Sequence, residues 1–193
     1  MKSICVFCGS SPGASPEYGA MAGRLGALLA ERGFDLVYGG GNVGLMGILA
    51  NAALGKGGRV LGVIPRALVE KELSHTELTE QHVVASMHER KQRMADLADG
   101  FIALPGGWGT LDELCEMMTW AQLGIHLKPV GLLNVAGFFD GFLMQLEHAE
   151  HERLIKPEHR HMLLVDTEPV SLIERMRSYQ SPRAGKWIDR PQP

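Results

Sequence analysis

Short apolar runs and amphipathic stretches alternate along the whole chain. Ser3–Cys8, Phe34–Tyr38, Arg59–Ile64, His82–Ala85, Phe101–Leu104, Pro129–Leu133 and Met162–Val165 are nearly continuously apolar, with frequent β-branched residues. Strands covered by helices on both faces have that character. The intervening segments Pro16–Arg32, Val43–Leu54, Met87–Ala98, Leu111–Leu123, Phe138–His151 and Pro169–Arg177 carry the spacing of helices with one buried face. Repeated strand–helix alternation predicts right-handed crossovers and a parallel sheet. The expected fold class is α/β, a doubly wound, mostly parallel, Rossmann-like sheet in a single domain over residues 1–178. Arg66–Glu80 is polar and irregular and reads as a short helix and a loop near the site. Tyr179–Pro193 holds three of the ten Pro and reads as a polar tail.

Composition narrows the class of protein. A chain of 193 residues with 45% apolar and 21% charged residues suits one folded domain and excludes a disordered one. The net charge is -3 and no basic block is present, so no nucleic-acid partner is expected. Three Cys cannot form a disulfide framework, which points to a reducing compartment. The opening run turns polar after Cys8, too soon for a signal peptide, and no run reaches the roughly 20 apolar residues of a membrane span. A cytoplasmic protein without a membrane partner is expected.

The 24 Gly are about 12% of the chain against an average near 7%. They concentrate where predicted strands end. Cys8-Gly9-Ser10-Ser11 follows the first strand, Gly39-Gly40-Gly41-Asn42-Val43-Gly44-Leu45-Met46-Gly47 the second, and Pro105-Gly106-Gly107-Trp108-Gly109-Thr110 the fifth. In an open α/β sheet ligands bind at that edge, and helix N-termini there favour anions. Three such turns at one edge point to a phosphate-bearing ligand. Gly39 to Gly44 spells G-x-G-x-x-G, but it follows the second strand, and no acid stands about 20 residues on. NAD is therefore disfavoured, while Arg66 leaves NADP open. No G-K-[ST] follows, so a P-loop is excluded.

Two helix starts carry charges in unusual places. In the segment from Met87, an apolar stripe of Met87, Met94 and Ala98 places Lys91 on that stripe and Arg90 beside Met94 and Leu97. Either both long side chains snorkel to solvent or they meet an anion. Ser86 and Glu89 form a capping box, which makes Glu89 structural. Thr110 and Glu113 spell a second one, ahead of a stripe of Leu111, Leu114, Cys115 and Met118. Glu113 thus has two readings, a helix cap or a carboxylate facing the ligand edge.

Pro105-Gly106-Gly107-Trp108-Gly109-Thr110-Leu111-Asp112-Glu113 has the form P-G-G-x-G-T-x-x-E, preceded by the M-x-x-R-K of Met87 to Lys91. With Gly39-Gly40-Gly41 and Gly44-Leu45-Met46-Gly47, this resembles the LOG ("Lonely Guy") family from about Ser3 to Arg177. These are cytokinin riboside 5′-monophosphate phosphoribohydrolases, sometimes mislabelled lysine decarboxylases. The resemblance implies a homodimeric Rossmann-like hydrolase of N-glycosidic bonds. It would release adenine or an N6-prenylated adenine, and ribose 5-phosphate, from a nucleoside 5′-monophosphate such as AMP. It carries Arg90 and Glu113 over as the catalytic pair. Arg90, Lys91, Gly107, Trp108, Gly109, Thr110, Leu111, Asp112 and Glu113 match nucleotide-binding positions, and Glu72 and Thr119 two further substrate contacts. Trp108 stands where many relatives carry Tyr. Gly9 and Ser10, with Gly41, Gly44 and Met46, are the candidates for holding the 5′-phosphate. No metal or organic cofactor is called for. The alternative is a non-catalytic nucleotide- or NADP-binding module on the same fold.

Two further motifs are set aside. Cys5-Val6-Phe7-Cys8 is a literal C-x-x-C, but it lies in a predicted strand rather than at a helix start. The eight His form no H-E-x-x-H and read as surface residues.

Overall fold

The computed structural model describes residues 1–69 and 74–182. Seven strands form one sheet: β1 (Ser3–Phe7), β2 (Asp35–Tyr38), β3 (Val60–Pro65), β4 (Glu80–Val84), β5 (Gly100–Ala103), β6 (Val130–Leu133) and β7 (Leu163–Asp166). The helices are α1 (Pro16–Glu31), α2 (Gly44–Gly55), α3 (Arg66–Val69), α4 (Met87–Leu97), α5 (Trp108–Gln122), α6 (Asp140–His151), α7 (Pro157–Arg160) and α8 (Pro169–Arg177). The strand order is β4-β3-β2-β1-β5-β6-β7, and every pairing is parallel.

The alternation of side chains along β1 divides the core in two. Ile4, Val6 and Cys8 pack with Met21, Leu25 and Leu29 of α1, Leu45 and Leu49 of α2, and Leu172 and Ile173 of α8. Cys5 and Phe7 join the opposite core with Met94 of α4, Leu114 and Met117 of α5, and Phe139. Both faces of the central strand are dry, so its sequence reads as a continuous apolar run.

The chain runs outward from β1 to β4 on one side, then returns to lay β5 against the other side of β1. Phe7 faces Ala103 in that register. The loops after β1 and β5 leave toward opposite faces and open a crevice at the carboxyl ends of the strands. The main chain ties this edge together. Leu104 N donates to Phe7 O (2.9 Å), Gly9 N to Pro105 O (3.0 Å) and Leu45 N to Gly9 O (3.0 Å). Gly44 has φ +57, and a Cβ there would run into the backbone of Ser10. The glycine thus lets the β2–α2 turn close against the β1 turn.

Candidate active site

A cleft of about 190 Å³ opens at this switch point, lined by Val6 to Ser10, Gly39, Met46, Arg90, Gly107 to Thr110 and Glu113. Its charged walls are Arg90 and Glu113. The sequence places them on different helices, and the fold brings Arg90 Nη1 to 3.8 Å from Glu113 Oε1.

Arg90 lies at one side of the buried face of α4, which includes Met94, Ala95 and the cap residue Ala98, while Met87, the first residue of the helix, is 43% exposed. The expected stripe holds at Met94 and Ala98, and Arg90 stays buried beside it rather than snorkelling to solvent. The physical reason is that Arg90 is held by polar groups of the sheet edge and need not reach solvent. Its Nε donates to Val63 O (3.1 Å) and its Nη2 to Gly39 O (3.2 Å). Those carbonyls fix two sides of the guanidinium and leave Nη1 toward Glu113. Gly39 is required for this: a Cβ there would occupy the place of Arg90 Nη2. The Ser86 cap is present, with Glu89 N donating to Ser86 Oγ (3.1 Å) and Ala85 N to Glu89 Oε2 (2.7 Å). Glu89 is structural, as read.

The second capping box is not formed. α5 begins at Trp108, with Gly107 as its cap residue and no capping side chain. Thr110 consequently falls in the first turn, and Glu113 stands a turn too deep to cap. The buried face is Thr110, Glu113, Leu114, Met117 and Ala121, whereas Cys115 is exposed. The helix starts earlier than the apolar periodicity implies, and its buried face is turned by about one position from the expected stripe, which brings Glu113 inward. Burial first of all, against the opposing pull of Arg90, raises its carboxyl from 4.5 to about 7. Asp112 and Glu116 add to the rise, and Lys91 works with Arg90 against it.

Uncapped first-turn N–H groups of α5 face a cleft that also holds a guanidinium, an arrangement suited to an anion. Gly9, Ser10, Met46, Gly107, Trp108, Gly109 and Thr110 all line the cleft. Trp108 is 89% exposed at its rim. Gly41 and Gly44 are not among the walls. Gly41 bridges to Ser74, and Gly44 shapes the turn behind Ser10. Lys91, Leu111 and Asp112 also lie outside the lining. Thr119 faces a separate apolar hollow with Phe142 and Leu146, its Oγ1 donating to Cys115 O (2.7 Å). Glu72 lies outside the described residues, as does the tail from 183 onward.

Cys8 is a wall that sequence reasoning passed over. Burial and the nearby Glu113 push its thiol up, so it is a neutral wall. Cys5 and Cys8 belong to opposite cores, which separates the members of the C-x-x-C. Among the described residues no cluster of three or more His, Cys, Asp or Glu could hold a metal. The G-x-G-x-x-G turn follows β2, and β3 beyond it carries no acidic residue.

A parallel sheet with glycine turns and an Arg–Glu pair at its switch point defines a Rossmann-like protein built for a phosphate-bearing ligand. The family model described as "Possible lysine decarboxylase" matches residues 46–176. Probable cytokinin riboside 5′-monophosphate phosphoribohydrolase LOGL5 of Oryza sativa subsp. japonica is 49% identical, over 94% of this chain and 74% of that protein. Cytokinin riboside 5′-monophosphate phosphoribohydrolase LOG7 of Arabidopsis thaliana is 50% identical, over 93% of this chain and 82% of that protein. The chain belongs to this family, the LOG family. Among solved structures, the molybdenum cofactor binding protein of Rippkaea orientalis superposes with a TM-score of 0.70 at 25% identity, over 92% of this chain and 97% of the other. The molybdenum cofactor carrier protein of Chlamydomonas reinhardtii has a TM-score of 0.69 at 19% identity, over 92% and 99%, a likeness of fold.

Proposed function

We propose that this chain is a phosphoribohydrolase that cleaves the N-glycosidic bond of nucleoside 5′-monophosphates, AMP or its N6-prenylated analogues. The observation that carries the reading is the buried Arg90–Glu113 pair, held 3.8 Å apart beside the uncapped N-terminus of α5. The relatives' names supply the reaction class.

The C1′–N9 bond breaks with its electron pair leaving on the base, and water adds to C1′. One proton of that water reaches the base, giving free base and ribose 5-phosphate. Positive charge develops on the sugar ring in the transition state. Glu113, as carboxylate, stabilises that charge and orients the water. Arg90, anchored by two carbonyls, offsets the negative charge on the departing base. The 5′-phosphate is held by N–H groups of α5 and by Ser10, while Gly9, whose own N–H donates to Pro105 O, lets the backbone approach and Met46 and Trp108 flank the nucleotide. Thr110 supports the same wall; Gly41 and Gly44 act by shaping the turn.

The reading extends to a homodimer in the cytoplasm. Exposed Leu123, Ile125 and Leu127 offer a second copy an apolar contact, and free Cys5, Cys8 and Cys115 fit a reducing setting. Sedimentation velocity checks the dimer. Incubation with AMP and with N6-substituted adenosine monophosphates, followed by chromatography, tests the activity. Free base and ribose 5-phosphate in equal amounts are expected. A protein that binds these nucleotides without releasing base would instead be a binding module.

A further inference from the structure

The histidines read as surface residues in the sequence, yet His75 is 2% exposed. It stands in the irregular connection between α3 and β4, where a parallel crossover ordinarily carries a full helix. Polar contacts fix this connection instead. Ser74 bridges to Gly41, and His75 N donates to Gly40 O (3.1 Å). The ring reaches α2: Nε2 lies 2.9 Å from Asn51 Oδ1, about two turns into that helix, and Nδ1 accepts from Glu77 N (3.2 Å). With Nδ1 used as an acceptor, the ring proton is on Nε2 and goes to Asn51. Both ring nitrogens are thus occupied in the neutral form. Burial also holds the ring below the usual histidine range, with Glu77 on its own loop opposing; α2 offers only the neutral Asn51 and the β2 turn a main-chain carbonyl.

The turn that His75 holds is the one that anchors Arg90. Gly39 O accepts from Arg90 Nη2, and the next carbonyl, Gly40 O, accepts from His75 N. Three successive glycines, the middle one at φ +79, give this turn little stiffness of its own. The place of Gly39 O must therefore be set from outside. We propose that His75 is a positioning residue, which grips the β2–α2 turn through its main chain and α2 through its ring, and so keeps Gly39 O against the Arg90 guanidinium. Neither His75 nor Asn51 lines the cleft, so the effect reaches the nucleotide only through Arg90. This deepens the phosphoribohydrolase reading, and its kinetic half rests on it.

The test compares His75→Ala, His75→Gln and Asn51→Ala with the wild type, in the full chain. A Gln amide can donate to Asn51 in place of the imidazole. Ring 15N NMR reads the His75 tautomer. The Arg90 Nε–H signal, assigned by its loss in Arg90→Lys, reads the guanidinium, and kcat and KM are measured with AMP. The wild-type ring is expected neutral and protonated on Nε2 at pH 7. In His75→Ala the Arg90 signal should exchange faster with water, and kcat should fall about tenfold with KM within about twofold. His75→Gln should recover most of both. An unchanged Arg90 signal with wild-type kcat in folded His75→Ala overturns the proposal, and so does a proton on Nδ1 of the wild type at pH 7. A Tm lowered equally in the Ala and Gln variants, with signal and kcat retained, marks a purely structural histidine and overturns it as well. Should His75→Ala not fold, Asn51→Ala, which removes only the partner of the ring, decides by the same two readouts. If the wild type releases no base, the phosphoribohydrolase reading fails, while the Arg90 signal still decides whether His75 holds the guanidinium.

Discussion

The guanidinium of Arg90 occupies the place where a side chain on Gly39 would begin. One residue's reach defines the other's identity. Gly39 supplies the carbonyl that accepts from Arg90 Nη2 at 3.2 Å, and its missing Cβ makes room for the same group. Gly39→Ala is therefore expected to displace Arg90 while leaving the sheet intact. Turnover should fall by roughly tenfold or more, and stability by about 1–3 kcal/mol. Steady-state kinetics beside denaturant unfolding checks both. Wild-type kinetics in Gly39→Ala would remove the Gly39 anchor from the mechanism.

The acid limb of kcat/KM is set by Glu113 if its carboxylate is the working form. With the carboxyl raised to about 7, activity should decline as pH drops below neutrality, tenfold per unit once well below that point. Glu113→Gln should lower kcat by on the order of 10²–10³-fold and flatten the limb. A wild-type profile that stays level down to pH 5 would show that another group governs the reaction.

The same raised carboxyl has a cost in folding. A carboxyl that titrates at about 7 in the fold and near 4.5 when unfolded binds its proton more tightly in the native state. Its contribution is complete below pH 4.5 and is lost as pH rises through 7. The Tm of the wild type relative to Glu113→Gln should therefore decrease from pH 4.5 to pH 8, by the equivalent of about 3 kcal/mol. Calorimetry of both proteins across that range measures it. A constant difference would mean that Glu113 titrates normally.

Removing the phosphate from the substrate should reduce turnover much more than it reduces the intrinsic reactivity of the bond. Free first-turn N–H groups of α5 lie in the cleft wall, at the far end of the nucleotide from the base in this reading. A nucleoside forgoes that orientation, and kcat/KM is expected to fall on the order of 10³-fold. Side-by-side assays of adenosine and AMP settle the point, and equal rates would rule out the anchor.

The layout was legible in the sequence because both faces of the sheet are buried. Uniformly apolar runs such as Phe34–Tyr38 leave no doubt that a strand is present, and the glycine clusters mark the edge where the cleft forms. What periodicity misjudged was rotation, on α5. On α4 the stripe holds at Met94 and Ala98, and what spacing left open was whether Arg90 beside it stays buried; two backbone carbonyls make that burial tolerable. Thr110 and Glu113 spelled a cap because the helix was expected to start after the glycines, whereas Gly107 itself is the cap residue. Arg90 and Glu113 both find their partners in distant parts of the chain, which local spacing cannot reveal. The paired Arg90 and Glu113 were named from motif resemblance, and the fold places them together.

The strand order has a bearing on synthesis. The first 84 residues can assemble β4-β3-β2-β1, leaving one edge of β1 unpaired until Gly100–Ala103 leaves the ribosome. Gly9 and Gly39 wait on that half-sheet, while the helix bearing Glu113 has yet to be made. A nascent or truncated chain thus acquires no half-working cleft. Competence arrives in one event, when the second half docks, and two fragments divided between β4 and α4 should each be inert yet complement one another when mixed.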